Sequence, residues 1–197
     1  WKNVQSPAMR TRRPHMIWVR RGVILTLLLM GLAVLTAWWW LQGSLPTLDG
    51  KQQVSGLRGP VTLVRDAQGI VHIQSDDRND IAFGLGFAHA QDRFFQMDLQ
   101  RRRAAGTLSE LFGARAVEVD RAARLHRFST RALERFSQDD TATRSLAIAY
   151  SNGVNAGLES LSRPPFEYTL LGTTPERWMP EDIYLTLYSM ILLLQDS

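Results

Sequence analysis

The strongest constraint in this sequence is a run of nineteen residues, Val23 to Leu41, without one charged side chain. As a helix rising ~1.5 Å per residue, it nearly spans a hydrocarbon core of ~30 Å. Trp38, Trp39 and Trp40 close the run, and indole rings favour the membrane interface. The flanks give it a direction. Residues 1–48 hold Lys2, Arg10, Arg12, Arg13, Arg20 and Arg21 and no acid, whereas residues 49–197 hold 17 bases against 19 acids. Bases before the span and none just after it place residues 1–22 on the cytoplasmic side and residue 42 onward outside. A cleavable signal peptide is the rival reading. Its apolar region is usually shorter, and Leu35-Thr36-Ala37 followed by three tryptophans is a poor cleavage site. The expectation is an uncleaved signal anchor over 23–41. Arg12-Arg13 and Arg20-Arg21 are arginine pairs of the kind any positive leader carries, and they argue little for a twin-arginine route. The sequence starts with Trp1, so Met9 or Met16 is a candidate start, or the sequence is part of a longer one.

Composition matters mainly for what it excludes. The 197 residues contain no cysteine, which rules out disulfide frameworks, Cys-ligated zinc and thiol nucleophiles. The formal net charge of +4 would ordinarily point to nucleic acid. That charge sits in the leader, and the remainder is slightly acidic. The run Arg101-Arg102-Arg103 has no interleaved aromatic platform for bases, so it reads as a solvated or ion-paired helix stretch, and no nucleic-acid partner is expected.

After the span, residues 42–54 read as a linker rich in Gly, Ser and Pro. Val61–Val64 and Ile70–Ile73 are β-rich and flank Asp66-Ala67-Gln68-Gly69, the pattern of a hairpin whose Gly69 takes the left-handed conformation. A long helix follows, capped by Asp76, Asp77 or Asn79, with Phe83, Phe87, Ala90, Phe94 and Met97 on one apolar stripe. Gly84 and Gly86 inside it lower helix propensity by about 1 kcal/mol each and make sense where another backbone packs close. A phosphate-binding glycine loop is the alternative, but the third glycine is missing. Gly106 ends the helix, and Thr107-Leu108-Ser109-Glu110 has capping-box spacing for a short helix through Gly113. Residues 114–128 show no clear period. A helix is expected over about 141–161, with Leu146, Ala149, Tyr150, Val154 and Leu158 on one side. Turns follow at Ser162–Pro165, Thr173–Pro175 and Met179-Pro180. The last helix starts near Glu181 and is apolar almost all round, from Ile183 to Leu194. Such a helix is buried all round, and a further polypeptide is expected to cover it; a re-entrant or interfacial segment is the alternative.

Few residues nominate themselves for chemistry. His15 lies in the leader, His72 in a strand and His89 in the long helix, with His126 in the stretch 114–128 that lacks a clear period. No H-E-x-x-H pair or G-x-S-x-G elbow occurs, so neither a zinc site nor a catalytic serine is marked. His89 and Asp92, three apart on one helix face, have the geometry for acid–base work, although a structural hydrogen-bonding role is the simpler reading. Asp92-Arg93 and the arginine run are expected to form an ion-pair network with Arg65, Asp66 and Asp98.

The residues also carry a family resemblance. Val64-Arg65-Asp66-Ala67-Gln68-Gly69-Ile70-Val71-His72-Ile73 resembles the opening hairpin of the penicillin amidase (penicillin acylase) family. Gly84-Leu85-Gly86-Phe87-Ala88-His89-Ala90-Gln91-Asp92-Arg93-Phe94-Phe95-Gln96-Met97-Asp98-Leu99 resembles the family's most characteristic segment, which continues through Arg101-Arg102 and Ala105 to Gly113. Tyr150–Ala156 and Pro175–Asp182 match later blocks in the right order. The resemblance covers roughly residues 55–195. Val71 departs from it, since the family usually has proline before the histidine.

The resemblance implies an α/β (α+β) fold: the α-chain part of an αββα N-terminal-nucleophile hydrolase sandwich over residues 55–197, mostly helical, with an early β-hairpin. In such enzymes a precursor cuts itself into two chains. The β chain's N-terminal serine attacks a linear amide, with its own α-amino group as base and preset oxyanion donors. The implied partners are a β chain of the same precursor, the bilayer through 23–41 and a small N-acyl substrate such as a penicillin or an acyl-homoserine lactone. The nucleophilic serine is expected beyond Ser197, so no catalytic residue is assigned within the sequence and the segment alone is expected to be inactive. Leu193, Leu194 and Gln195 are the expected pocket-lining residues. Structural calcium is implied for the complete enzyme, with its ligands outside this sequence; Asp196 is near the family's glutamate ligand but does not align with it. A membrane-anchored, non-catalytic scaffold that keeps the α-chain fold is the alternative.

Overall fold

A computed structural model describes residues 14–195, with side chains over 18–194. The leader bases Lys2, Arg10, Arg12 and Arg13, and Asp196 and Ser197, lie outside the described residues. The chain divides into two compact units, Trp1–Gln42 and Gly43–Ser197. The first contains α1 (Pro14–Gln42), continuous through the apolar run, and its stretch Trp18–Gln42 is long and apolar enough to cross a membrane. The side chains of Leu25, Leu28, Leu32 and Leu35 are all exposed, so this helix buries no apolar face within the chain. A span and a signal sequence share those properties.

The second unit opens on the hairpin. β1 (Thr62–Arg65) and β2 (Val71–Gln74) pair antiparallel, Thr62 opposite Gln74 and Arg65 opposite Val71. Gly69 has φ 81°, as the turn requires. The Asp66 carboxylate accepts the N–H groups of Gln68 and Ile70 at 3.0 and 2.8 Å, fixing the loop. Val71, where the family favours proline, is an ordinary strand residue in register with Arg65.

Among the described residues, eight segments of helix or 3₁₀ turn follow the hairpin: α2 (Arg78–Ala105), α3 (Ser109–Phe112), a 3₁₀ turn (Gly113–Ala116), α4 (Val117–Arg124), α5 (Phe128–Gln138), α6 (Thr141–Glu159), α7 (Phe166–Leu171) and α8 (Asp182–Gln195). Asp77 caps α2 by accepting the Asn79 and Asp80 N–H groups, and Gly106 ends it at φ 71°. α2 is kinked at Arg93, whose φ of −154° leaves the helical region.

The unit is organised by α2 crossing α6. The two helices meet backbone to backbone. A Cβ added at Gly86 would stand 2.1 Å from the Tyr150 carbonyl oxygen, and one at Gly153 would stand 2.0 Å from the Phe83 oxygen. Gly157 meets Phe87 in the same way. This is the close approach expected for Gly86, and no phosphate loop is formed. Gly84 instead faces the hairpin, against methyls of Ile73 and Val61. Around this crossing Ala90, Phe94, Met97, Val154, Tyr168 and Trp178 make one core, and Ala104, Phe128, Ala132 and Leu185 make a second.

Two expectations need correction. The capping box at Thr107–Glu110 does not form: Leu108 is the N-cap and makes no side-chain cap. The Leu108 and Ser109 N–H groups instead donate to Asp120 on α4, at 2.8 and 2.7 Å, and Glu110 turns to Arg102. Of the apolar side expected for α6 only Val154 is fully buried, and the buried face is completed by Ala147, Ser151, Gly153, Asn155 and Gly157. Tyr150 and Leu158 are partly buried against the core. The described residues cover α8 on one side only: Leu185 and Ser189 are buried, while Leu187, Met190, Ile191, Leu193 and Leu194 are exposed.

Candidate functional site

Two polar centres lie along α2. The first is a cavity of about 490 Å³ between α2, α6 and α8. Its apolar walls include Leu85, Met97, Trp178 and Ile183, and its polar groups include His89, Arg93, Gln96 and Gln100. His89 Nδ1 and the Tyr150 hydroxyl share a hydrogen bond of 3.0 Å, linking α2 to α6. Burial lowers the His89 pKa, and the neighbouring Arg93 charge adds to the effect. Burial pushes the Tyr150 hydroxyl up to about 12. Both groups are therefore neutral near pH 7.

Asp92 is not part of this centre. It receives both guanidinium nitrogens of Arg65, at 2.8 and 3.0 Å, and ties the hairpin to α2 beside the kink. His89 and Asp92 thus make no acid–base pair; His89 has the structural hydrogen-bonding role. Asp66, expected in the same network, bonds His72 Nε2 at 3.2 Å on the hairpin itself.

The second centre is buried and ionic. Asp98 is fully buried and accepts Arg101 Nε at 2.7 Å, Arg102 Nε at 3.0 and 3.1 Å, and the Tyr168 hydroxyl at 2.7 Å. Arg101 goes on to Asp182 at the start of α8 and to the carbonyls of Arg177 and Glu176. Its guanidinium also lies over the Trp178 ring, 5.0 Å from the centroid. Arg102 reaches Glu110 and Glu176. Burial disfavours the Arg101 charge, but Asp182 and Asp98 outweigh it and hold the group more firmly protonated than usual. Burial and the Asp98 charge push the Tyr168 hydroxyl upward. The expected network therefore exists, but divides in two: Arg65–Asp92 at the hairpin, and Asp98 with Arg101, Arg102 and Asp182 at the core. The segment before α8 is fixed from a second side, where Asn155 donates to the Trp178 carbonyl and accepts its N–H.

These centres position elements; they do not assemble a nucleophile with a base. Among the described residues no group of three His, Asp or Glu could hold a metal ion. Leu193 and Leu194, expected to line a pocket, are exposed near the C-terminal end of α8, and the Gln195 side chain lies outside the described ones. The α8 residues that line the cavity are Ile183 and Thr186, about two to three turns earlier.

Known proteins resemble this chain in sequence and fold. A family model described as penicillin amidase matches residues 60–197. The chain is 42% identical over 140 residues to penicillin acylase 2 proenzyme of Pseudomonas sp. (strain SE83), covering 71% of this chain and 18% of that protein. It is 36% identical over 145 residues to an acyl-homoserine lactone acylase of Pseudomonas fluorescens, covering 73% and 18%. The chain thus spans about 18% of the length of these curated relatives. A thermostable penicillin G acylase from Alcaligenes faecalis superposes with a TM-score of 0.62 at 28% identity, over 70% of this chain and 75% of that one. With a family match over residues 60–197 and relatives above 30% identity, this chain is a member of the penicillin amidase family.

Proposed function

We propose that this chain is the α-chain portion of a membrane-anchored amidohydrolase that cleaves the linear amide bond of N-acyl substrates. The observation that carries the reading is the family match through residues 60–197, with relatives named as penicillin and acyl-homoserine lactone acylases. One of these relatives is named a proenzyme, which supports processing into two chains. In this reading the nucleophile is a serine at the new N-terminus of a β chain. Its hydroxyl attacks the amide carbonyl, its α-amino group takes the proton, and preset N–H donors hold the oxyanion. The αββα sandwich is completed by that chain.

The residues described here act as scaffold. Arg65–Asp92 holds the hairpin on α2, and Asp98–Arg101–Asp182 sets where α8 begins. The exposed apolar side of α8, with Leu187, Met190, Ile191, Leu193 and Leu194, is the surface proposed to meet the β chain, and Leu193, Leu194 and Gln195 the end nearest the acyl pocket. Calcium is proposed for the complete enzyme, with its ligands in the remaining polypeptide. α1 is proposed to anchor the protein in the cytoplasmic membrane, with residues 42–197 on the periplasmic side.

The test is expression of the full-length gene, intact-mass analysis, and assays on penicillin G and an N-acyl-homoserine lactone. The expected result is two chains, one beginning with serine, and release of a carboxylic acid from at least one substrate class. An unprocessed chain with no amidase activity on either would overturn the reading in favour of a non-catalytic scaffold.

A further inference from the structure

The face of α2 that lines the cavity carries polar side chains that the described residues do not use. Leu85, His89, Arg93, Gln96 and Gln100 follow one another at spacings of three or four, which makes one stripe of the helix, and all five line the cavity. His89 is engaged with Tyr150. Among the described residues the side chains of Arg93, Gln96 and Gln100 have no hydrogen-bond or ion-pair partner. Asp92, next to Arg93 in sequence, is taken by both guanidinium nitrogens of Arg65. No Asp or Glu is among the described residues lining the cavity, and His89 is neutral near pH 7. The wall thus presents one fixed cation, Arg93, with two amides beside it. An occupant that complements it carries an anion and hydrogen-bonding groups on the same side.

The opposite wall is apolar and does not end at the cavity. Ile183 lines the cavity. Leu187 and Met190, four and seven residues on, continue its face of α8 and are 50% and 51% exposed. At ~1.5 Å per residue, this apolar row runs about 10 Å and the polar row from His89 to Gln100 about 16 Å. A ligand confined to the cavity leaves Leu187 and Met190 in water. An extended peptide of about five residues, at ~3.3 Å each, covers the polar row. It can set apolar side chains against α8 while its backbone meets the amides. The chain spans about 18% of the curated relatives it matches, and the β chain proposed above supplies such a segment.

We propose that the cavity between α2, α6 and α8 seats an acidic segment of the β chain: an Asp or Glu carboxylate pairs with Arg93, the adjoining backbone bonds Gln96 and Gln100, and apolar side chains cover Ile183, Leu187 and Met190. The inference rests on the two-chain reading and adds to it the charge that fixes how the two chains register. An apolar contact alone lets α8 slide along its partner, whereas a guanidinium–carboxylate pair is directional.

The test uses the full-length protein with a photoreactive benzophenone amino acid in place of Gln96, which is exposed at the cavity. Intact mass is read first: a single unprocessed chain removes the two-chain reading and this proposal with it. In the processed protein, irradiation should join the two chains, and the β-chain peptide mapped there should hold Asp or Glu within about three residues of the cross-link, ~10 Å of extended chain. Cross-linking that stays within the α chain, or a mapped peptide without an acid, overturns the proposal and leaves the two-chain reading standing. Arg93→Gln should separate the chains in urea about 30-fold faster, since a carboxylate left unpaired at an interface raises the off-rate. Arg93→Glu should be worse, and replacing the mapped acid by Lys in that background should restore slow separation, which a purely structural role for Arg93 does not predict. Equal rates for Arg93→Gln and the unaltered protein overturn the pair. Saturable binding of octanoate to the processed protein, abolished by Arg93→Gln, also overturns it, because the cavity is then open to a small acid.

Discussion

Gly86→Ala and Gly153→Ala set two known effects against each other, and the structure decides the sign. In a helix interior, alanine is better than glycine by about 1 kcal/mol. At both positions, however, the new methyl group meets a carbonyl oxygen of the other helix, at 2.1 and 2.0 Å, where real Cβ contacts essentially never fall below 3.0 Å. The difference, about 0.9–1.0 Å, must come from moving backbone, because no side chain can swing away. Parting α2 from α6 by that amount loosens the packing of Phe94, Val154 and Trp178 along the same seam. Overpacking of this kind costs about 1–3 kcal/mol when side chains can adjust, and a rigid backbone contact belongs at the upper end. Net destabilisation of about 2 kcal/mol or more is expected for each variant. Gly84→Ala is the comparison: its methyl meets only methyls of Ile73 and Val61, at 2.9 Å, which can shift, so its effect should be smaller. Asn152→Ala, exposed on α6, should gain a few tenths of a kcal/mol, about the propensity difference alone. The assay is hydrogen exchange of α2 and α6 peptides in the full-length protein, read as opening free energy. If Gly86→Ala and Gly153→Ala protect these helices as Asn152→Ala does, the close crossing is wrong.

Asp98→Asn should destabilise by about 3–5 kcal/mol, since two buried arginines lose their shared carboxylate; chemical denaturation followed by circular dichroism would show it, and a shift below about 1 kcal/mol would mean that the network is solvated. Asp120→Ala should cost about 1–2 kcal/mol through loss of the cap on α3, seen as faster exchange of the 108–112 amides. At Asp120, burial favours the neutral acid, but hydrogen bonds from Ser109 and Leu108 outweigh it and lower the pKa below 3.8. Its contribution should therefore be complete above that value and fade as pH falls through the lower folded one. The His89 pKa is likewise below 6.5, so its stabilising share is full above pH 6.5 and is lost on acidification. A histidine NMR titration with a midpoint for His89 above 6.5 would refute the burial argument.

What could be read from the sequence, and what could not, follows from how far each signal reaches along the chain. The hairpin was legible because its information is local: alternating apolar residues, Asp66 to tie the loop and Gly69 at φ 81° lie within the thirteen residues Val61–Ile73. The long helix was legible from its stripe, and its glycines could be read as a close approach, although not which backbone would approach. The cap on α3 failed because a local pattern at Thr107–Glu110 competes with Asp120, eleven and twelve residues from its partners, and only folding brings that carboxylate into place. α5 and α7 escaped notice because each buries few residues, Phe128 and Ala132 in one and Tyr168 in the other, too few to print a period. The kink at Arg93 has no proline or glycine to announce it.

The same distinction governs the functional reading. Motifs in this family segment resemble catalytic signatures because they combine His, Asp, Arg and Gln at short spacing, yet the structure uses them to fix elements. His89 goes to Tyr150, Asp92 to Arg65, and Asp98 to Arg101, Arg102 and Tyr168. Asp98 pairs with Arg101 and Arg102 within α2, and the other contacts join segments far apart in sequence: hairpin to α2 through Arg65, α2 to α6 through Tyr150, α2 to α7 through Tyr168, and α2 to α8 through Arg101 and Asp182. An ionic contact is directional, and breaking one partner costs far more than the intact pair contributes. Buried ionic contacts therefore suit a part whose task is to hold α8 at one angle, which an apolar seam lined by glycines would allow to slide. On this argument the polar residues that make the segment recognisable serve the fold, by setting where the exposed side of α8 stands.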